Sequence, residues 1–264
     1  MGEEAKAGGS GGFLRSRRGI FFAAVVAVLA IGTAAAAALH QHRLYVRLLT
    51  TDPDDLESHP ELVRYAHSLA APAYRAHCAG CHGADMQGDQ SRGAPSLKDA
   101  VWLYDQGAVG DVERTILYGI RSGHAKARNI TDMPPLGRNL QLSRAEISDV
   151  TTYVLAMSRP QADAAAVQRG AQIFQGKGVC YDCHSGDAAG NPDYGAPNLT
   201  DRDWLYGGSR AAVYSSVLNG RHGLCPAWIG KLSPGVIRAL ALELRLKAEA
   251  AARASRGSGG GIHG

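Results

Sequence analysis

The pattern Cys-x-x-Cys-His occurs twice in this chain, and the sequence around it repeats as well. The first copy begins at Cys78 and the second at Cys180, an offset of 102 residues. GAPSLKDAVWLY at Gly93 returns at the same offset as GAPNLTDRDWLY at Gly195. Self-similarity at a fixed offset is typical of a duplicated structural unit. The sequence therefore predicts two copies of one domain in tandem.

Helical signals surround both copies. Ser143 and Glu146 form a capping box before an apolar helical face, and Ser233 occupies the corresponding position in the second copy. No segment shows the sustained alternation of apolar and polar residues that a β-strand requires. We therefore predict an all-α fold with domains at residues 70–159 and 160–248.

The spacing within each copy is that of a covalent haem site. Two thiols three residues apart on a helical turn can each bond to one vinyl group of the same porphyrin, and the histidine that follows lies on the same face and reaches the iron. A disulfide would not require the adjacent histidine, and a zinc site would need further ligands. The sequence predicts two covalently bound c-type haems, with the cofactor-binding residues Cys78, Cys81, Cys180 and Cys183 and the iron ligands His82 and His184.

A haem that only transfers electrons needs a sixth iron ligand. Met133 is the candidate in the first copy, where prolines follow it in the sequence NITDMPPLG. The second copy contains no methionine, and Cys225 stands before a proline at the corresponding position. Cys225, His222 or no side chain could complete the second site. Because a thiolate or an imidazole donates more charge than a thioether, this assignment predicts the higher reduction potential for the first haem.

Residues 20–39 form an uncharged apolar run long enough to cross a bilayer. Ala36 and Ala38 would also fit a signal-peptidase site, but the run exceeds the usual length of a signal peptide's apolar region. We predict an uncleaved anchor in the bacterial cytoplasmic membrane that holds both haem domains in the periplasm. Three arginines favour a cytoplasmic amino end: Arg15, Arg17 and Arg18.

The remaining segments are polar. Residues 1–19 are predicted to be a cytoplasmic tail, residues 40–69 a linker and residues 249–264 a disordered tail. The net charge is only +4, and the basic residues are scattered without interleaved aromatic residues. This pattern argues against nucleic acid as a partner.

The strings GAPNLTDRDWLYGG, LNGRHG, CPAWIGKLS and TILYGIRSGH resemble the CcoP or FixP family, the dihaem subunits of cbb₃-type haem-copper oxidases. The resemblance covers roughly residues 60 to 248 and implies two tandem class I cytochrome c domains. It implies His82 and His184 as proximal ligands, Met133 as a distal ligand, and a methionine where this chain has Cys225. It also implies that the carbonyls of Pro95 and Pro197 steady the two histidine rings. Trp102, Tyr104, Trp204 and Tyr206 fit either haem-pocket or core positions.

The resemblance implies a membrane-anchored carrier that passes single electrons from a donor cytochrome to a haem-copper oxidase. Such a protein is a subunit of an oxidoreductase complex rather than a catalyst by itself. Two alternatives stay open on the sequence: a similar subunit of another membrane complex, such as a dehydrogenase, and a haem sensor or small-molecule enzyme with a labile ligand at Cys225. The chain lacks a recognisable form of the family's proline- and tryptophan-rich amino-terminal region.

Overall fold

The computed structural model describes residues 17–139, 141–160 and 163–258. These residues form helices and turns, with isolated β-bridges as their only extended pairing, so the all-α prediction is confirmed. Most of the predicted cytoplasmic tail, residues 1–16, and the last part of the predicted carboxyl-terminal tail, residues 259–264, lie outside the described residues.

The first helix, α1, runs from Arg17 to Thr50. By length and composition, its stretch Ile20–Thr50 could cross a membrane, since it contains an 18-residue window with a mean hydropathy of 2.5. The helix continues beyond the predicted apolar run into the segment predicted as a linker. Residues up to Val46 form one compact unit, and residues from Arg47 onward form a second.

The second unit contains both repeats. A 3₁₀ helix at Pro53–Ser58 precedes α2. The first repeat consists of α2 (Pro60–His77), α3 (Ala79–His82), α4 (Val109–Tyr118) and α5 (Arg144–Ser158). The second repeat consists of α6 (Ala164–Gln175), α7 (Tyr181–His184), α8 (Arg210–Asn219) and α9 (Pro234–Ser258).

Helix α9 is longer than the sequence predicts, because it continues through residues 249–258, which were expected to begin a disordered tail. This segment is rich in alanine and also contains two arginines, and both residue types are strong helix formers. Glu249 also pairs along the helix, at 2.6 Å from Arg245 and 3.4 Å from Arg253. Pairs spaced by four residues support an exposed helix.

The helices of the two repeats are exchanged in their packing. The last helix of the second repeat, α9, packs against α2 and α4 of the first, while α5 of the first repeat packs against α6 of the second. Glu243 of α9 lies 3.0 Å from His67 of α2, and Arg238 of α9 pairs with Glu113 of α4. The predicted division between residues 159 and 160 thus describes repeats in the sequence, whereas in space each half completes the other.

Both predicted helix starts are present. The Ser143 hydroxyl accepts a hydrogen bond from the Glu146 amide, and the Glu146 carboxylate accepts one from the Ser143 amide at 2.7 Å. Lys177 of the second repeat lies 2.8 Å from the same carboxylate, and these contacts lower the pKa of Glu146 to about 2. The Ser233 hydroxyl accepts from the Val236 amide at the start of α9.

Glycines and tyrosines meet across the two repeats. Gly93 has a φ of +65° and its Cα faces the ring of Tyr206, while Gly195 has a φ of +67° and faces the ring of Tyr104. A side chain at either glycine would overlap the tyrosine ring. Only glycine adopts such a backbone at little cost while leaving room for the ring.

We expect Gly93→Ala to destabilise the protein by about 2 kcal/mol or more, because it combines a left-handed backbone with overlap against Tyr206. Gly110→Ala is the matched control, since Gly110 lies in α4 with no neighbouring atom within 4 Å of an added Cβ. This control should gain about 0.5–1 kcal/mol from helix propensity. Thermal unfolding of the full-length protein in detergent, followed by circular dichroism, measures both changes. Equal melting temperatures for the two variants would show that the predicted overlap is relieved without cost.

Candidate functional site

The first Cys-x-x-Cys-His motif lies where α2 ends and the short helix α3 turns. The amides of Cys81 and His82 donate to the Cys78 carbonyl at 3.1 and 3.0 Å, and this turn brings the three side chains to one side. Nδ1 of His82 lies 2.9 Å from the Pro95 carbonyl oxygen. Because a carbonyl can only accept, Nδ1 carries the proton and Nε2 keeps the lone pair that an iron ligand needs.

The second motif repeats this geometry. The His184 amide donates to the Cys180 carbonyl at 2.9 Å, and Nδ1 of His184 lies 3.0 Å from the Pro197 carbonyl oxygen. Both proline contacts implied by the resemblance are therefore confirmed. Burial lowers the pKa of both histidines, which favours the neutral ring that binds a metal.

The first thiol of each motif is partly sheltered from water. Burial raises the pKa of Cys78 to about 11, with the charge of Cys81 adding to the effect, and burial also raises the pKa of Cys180 to about 11. A raised pKa favours the protonated thiol over the thiolate at these two positions. No disulfide links the five cysteines.

The loops that carry the two candidate sixth ligands cross between the repeats. Cys225 exchanges a pair of backbone hydrogen bonds with Ile120, at 2.9 and 3.0 Å, and Met133 exchanges an equivalent pair with Arg221, at 3.1 and 2.9 Å. Ile120 and Arg221 each follow the glycine that ends the preceding helix, α4 or α8. The same two-residue bridge is thus built twice, with the repeats reversed.

The structure places Cys225 beside a different Cys-x-x-Cys-His motif from the one that the repeats suggest. Sequence analysis assigns Met133 to the first haem and Cys225 to the second, whereas the structure brings Cys225 to the first motif. Cys225 lies close enough to Cys78 and Cys81 that their charge adds to burial in raising the pKa of its thiol to about 11. Three residues after Cys225, the ring of Trp228 stacks 5.0 Å from that of His77, which precedes Cys78.

Met133 lies on the side of the second motif. It is partly buried and packs against the same apolar cluster as Cys180 and Trp204, a cluster that also contains Phe174 and Val213. The helix exchange explains these two positions. Helix α5 packs against α6, so the loop before α5, which carries Met133, lies towards the second repeat, and α9 packs against α2, so the loop before α9, which carries Cys225, lies towards the first.

His222, the alternative to Cys225, does not face either motif. Its side chain is 60% exposed, and its Nδ1 lies 2.8 Å from the Asp132 carboxylate. Asp132 is itself half-exposed, so this pair belongs to the surface. The structure therefore favours Cys225 over His222 as an iron ligand.

Both motifs and both candidate sixth ligands line one continuous cavity of about 600 Å³. The aromatic residues that sequence analysis singled out line it as well: Trp102, Tyr104, Trp204 and Tyr206. Among the described residues, no cluster of three or more histidine, cysteine or acidic side chains could hold a bare metal ion. The motif side chains and the candidate sixth ligands are instead spread around an apolar space. This arrangement fits a flat macrocycle with iron at its centre, since such a ring would occupy the space between them.

Two family models match this chain. Residues 69–158 match the family Cytochrome c, and residues 165–242 match the family Cytochrome C oxidase, cbb3-type, subunit III. These two matches cover one repeat each, and they agree with the two haem-binding motifs and with the helical fold.

Curated relatives extend the similarity over both repeats. The chain is 40% identical over 199 residues to the cbb3-type cytochrome c oxidase subunit FixP of Bradyrhizobium sp. (strain ORS 278), covering 74% of this chain and 66% of that protein. It is 33% identical over 208 residues to the subunit CcoP of Azospirillum brasilense, covering 76% of this chain and 69% of that protein. The chain thus spans about two thirds of the length of these relatives.

Proposed function

Because the chain belongs to the CcoP/FixP family of cbb3-type cytochrome c oxidase subunits, we propose that it passes single electrons from a donor cytochrome to the haem-copper subunit of such an oxidase. It carries two covalently bound c-type haems in tandem cytochrome c domains. The observation that carries the proposal is the cavity on which both motifs and two further sulfur ligands converge.

In this proposal each haem takes its sixth ligand from the other repeat. Cys78, Cys81 and His82 would hold the first haem, with Cys225 as the further iron ligand. Cys180, Cys183 and His184 would hold the second haem, with Met133 as the further iron ligand. The placement of Cys225 beside the first motif and of Met133 in the apolar cluster of the second supports this pairing.

The bound haems supply reversible one-electron redox chemistry at iron, and the residues of this chain set the conditions for it. The Pro95 and Pro197 carbonyls orient the two histidines. The sulfur atoms of Cys225 and Met133 would each supply a further iron ligand, and a fully ligated iron favours electron transfer over small-molecule binding. This arrangement supports a carrier rather than a sensor or an enzyme with an open iron.

The membrane orientation is part of the proposal. Helix α1 anchors the chain in the cytoplasmic membrane, and both haem domains face the periplasm, where c-type haems are attached. Arg17 and Arg18 precede the apolar run, and positive residues favour the cytoplasmic side.

We expect protease added to spheroplasts to digest the haem domains, leaving a membrane-embedded fragment that contains α1. The measurement is haem-stained gel electrophoresis of membranes before and after digestion, with a cytoplasmic protein as the control for intact cells. Protection of the full-length haem-stained band until the cells are lysed would place the domains in the cytoplasm. Haem protein that is free in the periplasm and begins after Ala38 would establish a cleaved signal instead.

The electron-transfer function is tested in native membranes with the tagged full-length chain. The chain should co-purify with a haem-copper oxidase subunit, and oxygen uptake from reduced cytochrome c should fall when His184→Ala removes a proximal ligand. His222→Ala is the matched control, because His222 lies on the surface and should leave oxygen uptake unchanged. Co-purification with a dehydrogenase, without any haem-copper subunit, would assign the chain to a different complex.

A further inference from the structure

Two arginines from different repeats line the haem cavity near the contact between those repeats, Arg121 after α4 and Arg221 after α8. The Arg121 Nε donates to the Gly223 carbonyl at 2.5 Å. The Arg221 guanidinium lies 4.1 Å from the centre of the Tyr206 ring. A Cβ on Gly223 would lie 3.4 Å from the Tyr206 hydroxyl and 3.5 Å from Arg121 Nη2, so both cations lie beside the same tyrosine.

Neither arginine has a carboxylate partner within 4.0 Å among the residues that the structure describes. Arg121 donates to the carbonyls of Gly223 and Thr131, and Arg221 donates to the Ser216 hydroxyl at 2.9 Å. Other arginines nearby are neutralised. Arg92, on the wall of the same cavity, pairs with Asp89 at 3.3 Å, and Arg128 pairs with Asp105.

Two unpaired cations beside one apolar cavity are electrostatically unfavourable. They repel each other, and partial burial strengthens that repulsion because the surroundings screen charge less than water does. Partly buried cations are normally offset by an anion. Asp132, which follows the Thr131 carbonyl that accepts from Arg121, is already held by His222 at 2.8 Å.

We infer that Arg121 and Arg221 bind haem propionate carboxylates at the contact between the two repeats. The propionates are the charged groups on the periphery of a haem, and each haem lies in this cavity. A guanidinium offers a planar fork of donors that matches a carboxylate, and most of the donors of Arg221 are uncommitted. Each repeat contributes one arginine, so this pair of propionate-binding groups forms only when the two repeats pack together.

This binding has a redox consequence. A cation near the haem stabilises the ferrous state, which carries one positive charge less than the ferric state, and so raises the reduction potential. The arginines are positioning residues that act through the propionates rather than iron ligands. The inference rests on the bound haems and not on the proposed oxidase partner, so the two can fail separately.

The test compares Arg121→Gln and Arg221→Gln with the charge-preserving variants Arg121→Lys and Arg221→Lys in the full-length holoprotein. Spectroelectrochemical titration should show a lower midpoint potential for at least one haem in each glutamine variant and recovery toward the original value in each lysine variant. Lys126→Gln is the matched control, because Lys126 is an exposed cation near Arg121 that lies off the cavity wall, and it should leave both potentials unchanged.

A second measurement separates propionate binding from a purely structural role. In protein made with haem labelled with carbon-13 at the propionate carboxyls, redox-induced infrared difference spectra should show label-sensitive carboxylate bands that move in both glutamine variants. Unchanged propionate bands, or glutamine variants with unaltered potentials, would overturn the inference. Potentials that fall equally in the glutamine and lysine variants would also overturn it, since loss of the loop structure would then explain the change.

Discussion

Replacing Cys225 with methionine will raise the midpoint potential of the haem attached to Cys78 and Cys81, while the haem attached to Cys180 and Cys183 keeps its potential. A thiolate donates charge and stabilises ferric iron, whereas a neutral thioether favours ferrous iron. Axial ligands move haem potentials over a range of roughly 0.8 V, so this is the largest redox effect that we expect from one substitution. Spectroelectrochemistry gives the two potentials, and electron paramagnetic resonance of the ferric protein distinguishes thiolate from thioether ligation.

The unmodified protein should accordingly have its lower potential at the first haem. This order is opposite to the one that sequence analysis predicts, because the structure places Cys225 beside the first motif. Ser185→Ala is the control and should leave both potentials unchanged. Ser185 follows His184 directly, but its hydroxyl donates to the Gly190 carbonyl at 2.8 Å. If Cys225→Ala leaves the resonance spectrum and both potentials unaltered, the thiol is not a ligand and Cys225 is only a buried apolar residue.

Met133→Ala will open the second haem to carbon monoxide, because it removes the sulfur that packs in the apolar cluster with Cys180. Absorption spectra of the reduced protein with and without the gas should change from no binding to binding at a single haem. Met157→Ala is the matched control, since Met157 packs against the same cluster but lies on α5 away from the iron ligands. The control loses packing without opening a coordination position.

Removal of one attachment site assigns that opened haem. When Cys180→Ala and Cys183→Ala remove the second attachment site, Met133→Ala should leave the remaining haem closed to carbon monoxide, because Met133 packs in the same apolar cluster as Cys180. Carbon monoxide binding to that remaining haem would restore the pairing within each repeat and would contradict the crossed arrangement.

Local chemistry could be predicted from the sequence, because it depends on short spacings. Each of these features joins residues that are at most 13 positions apart. They are the thiols and histidine of each motif, the capping box at Ser143 and Glu146, and the contact of His82 with Pro95. Such contacts are fixed by the backbone near them. The structure confirms the capping box and the contact of His82 with Pro95, which the family resemblance implied, while the haem-binding roles of the motif residues stay predictions.

The crossed pairing could not be predicted in the same way. Both repeats offer the same apolar helix faces, so α2 could pack equally well by pattern against α5 or α9. The choice depends on long-range contacts, such as the pair between Arg238 and Glu113 and the backbone bonds between Ile120 and Cys225. The nearness of Arg121 to Arg221 could not be predicted either, because these two arginines approach each other only in the folded protein, beside Gly223 and Tyr206. The strings GIRSG and GRHG do contain a signal for this pair, because in each repeat an arginine closely follows the glycine that ends the helix.

The exchange of helices also determines how natural variation in this chain acts. A substitution near the carboxyl end, on α9 or the loop before it, alters the surroundings of the haem attached near the amino end, and a substitution between α4 and α5 alters the other haem. Neither repeat can therefore diverge, be deleted or be fused to another protein without changing the cofactor of its neighbour. In the proposed crossed arrangement the two haem domains form a single redox module, in which Cys225 of the second repeat adjusts the haem of the first.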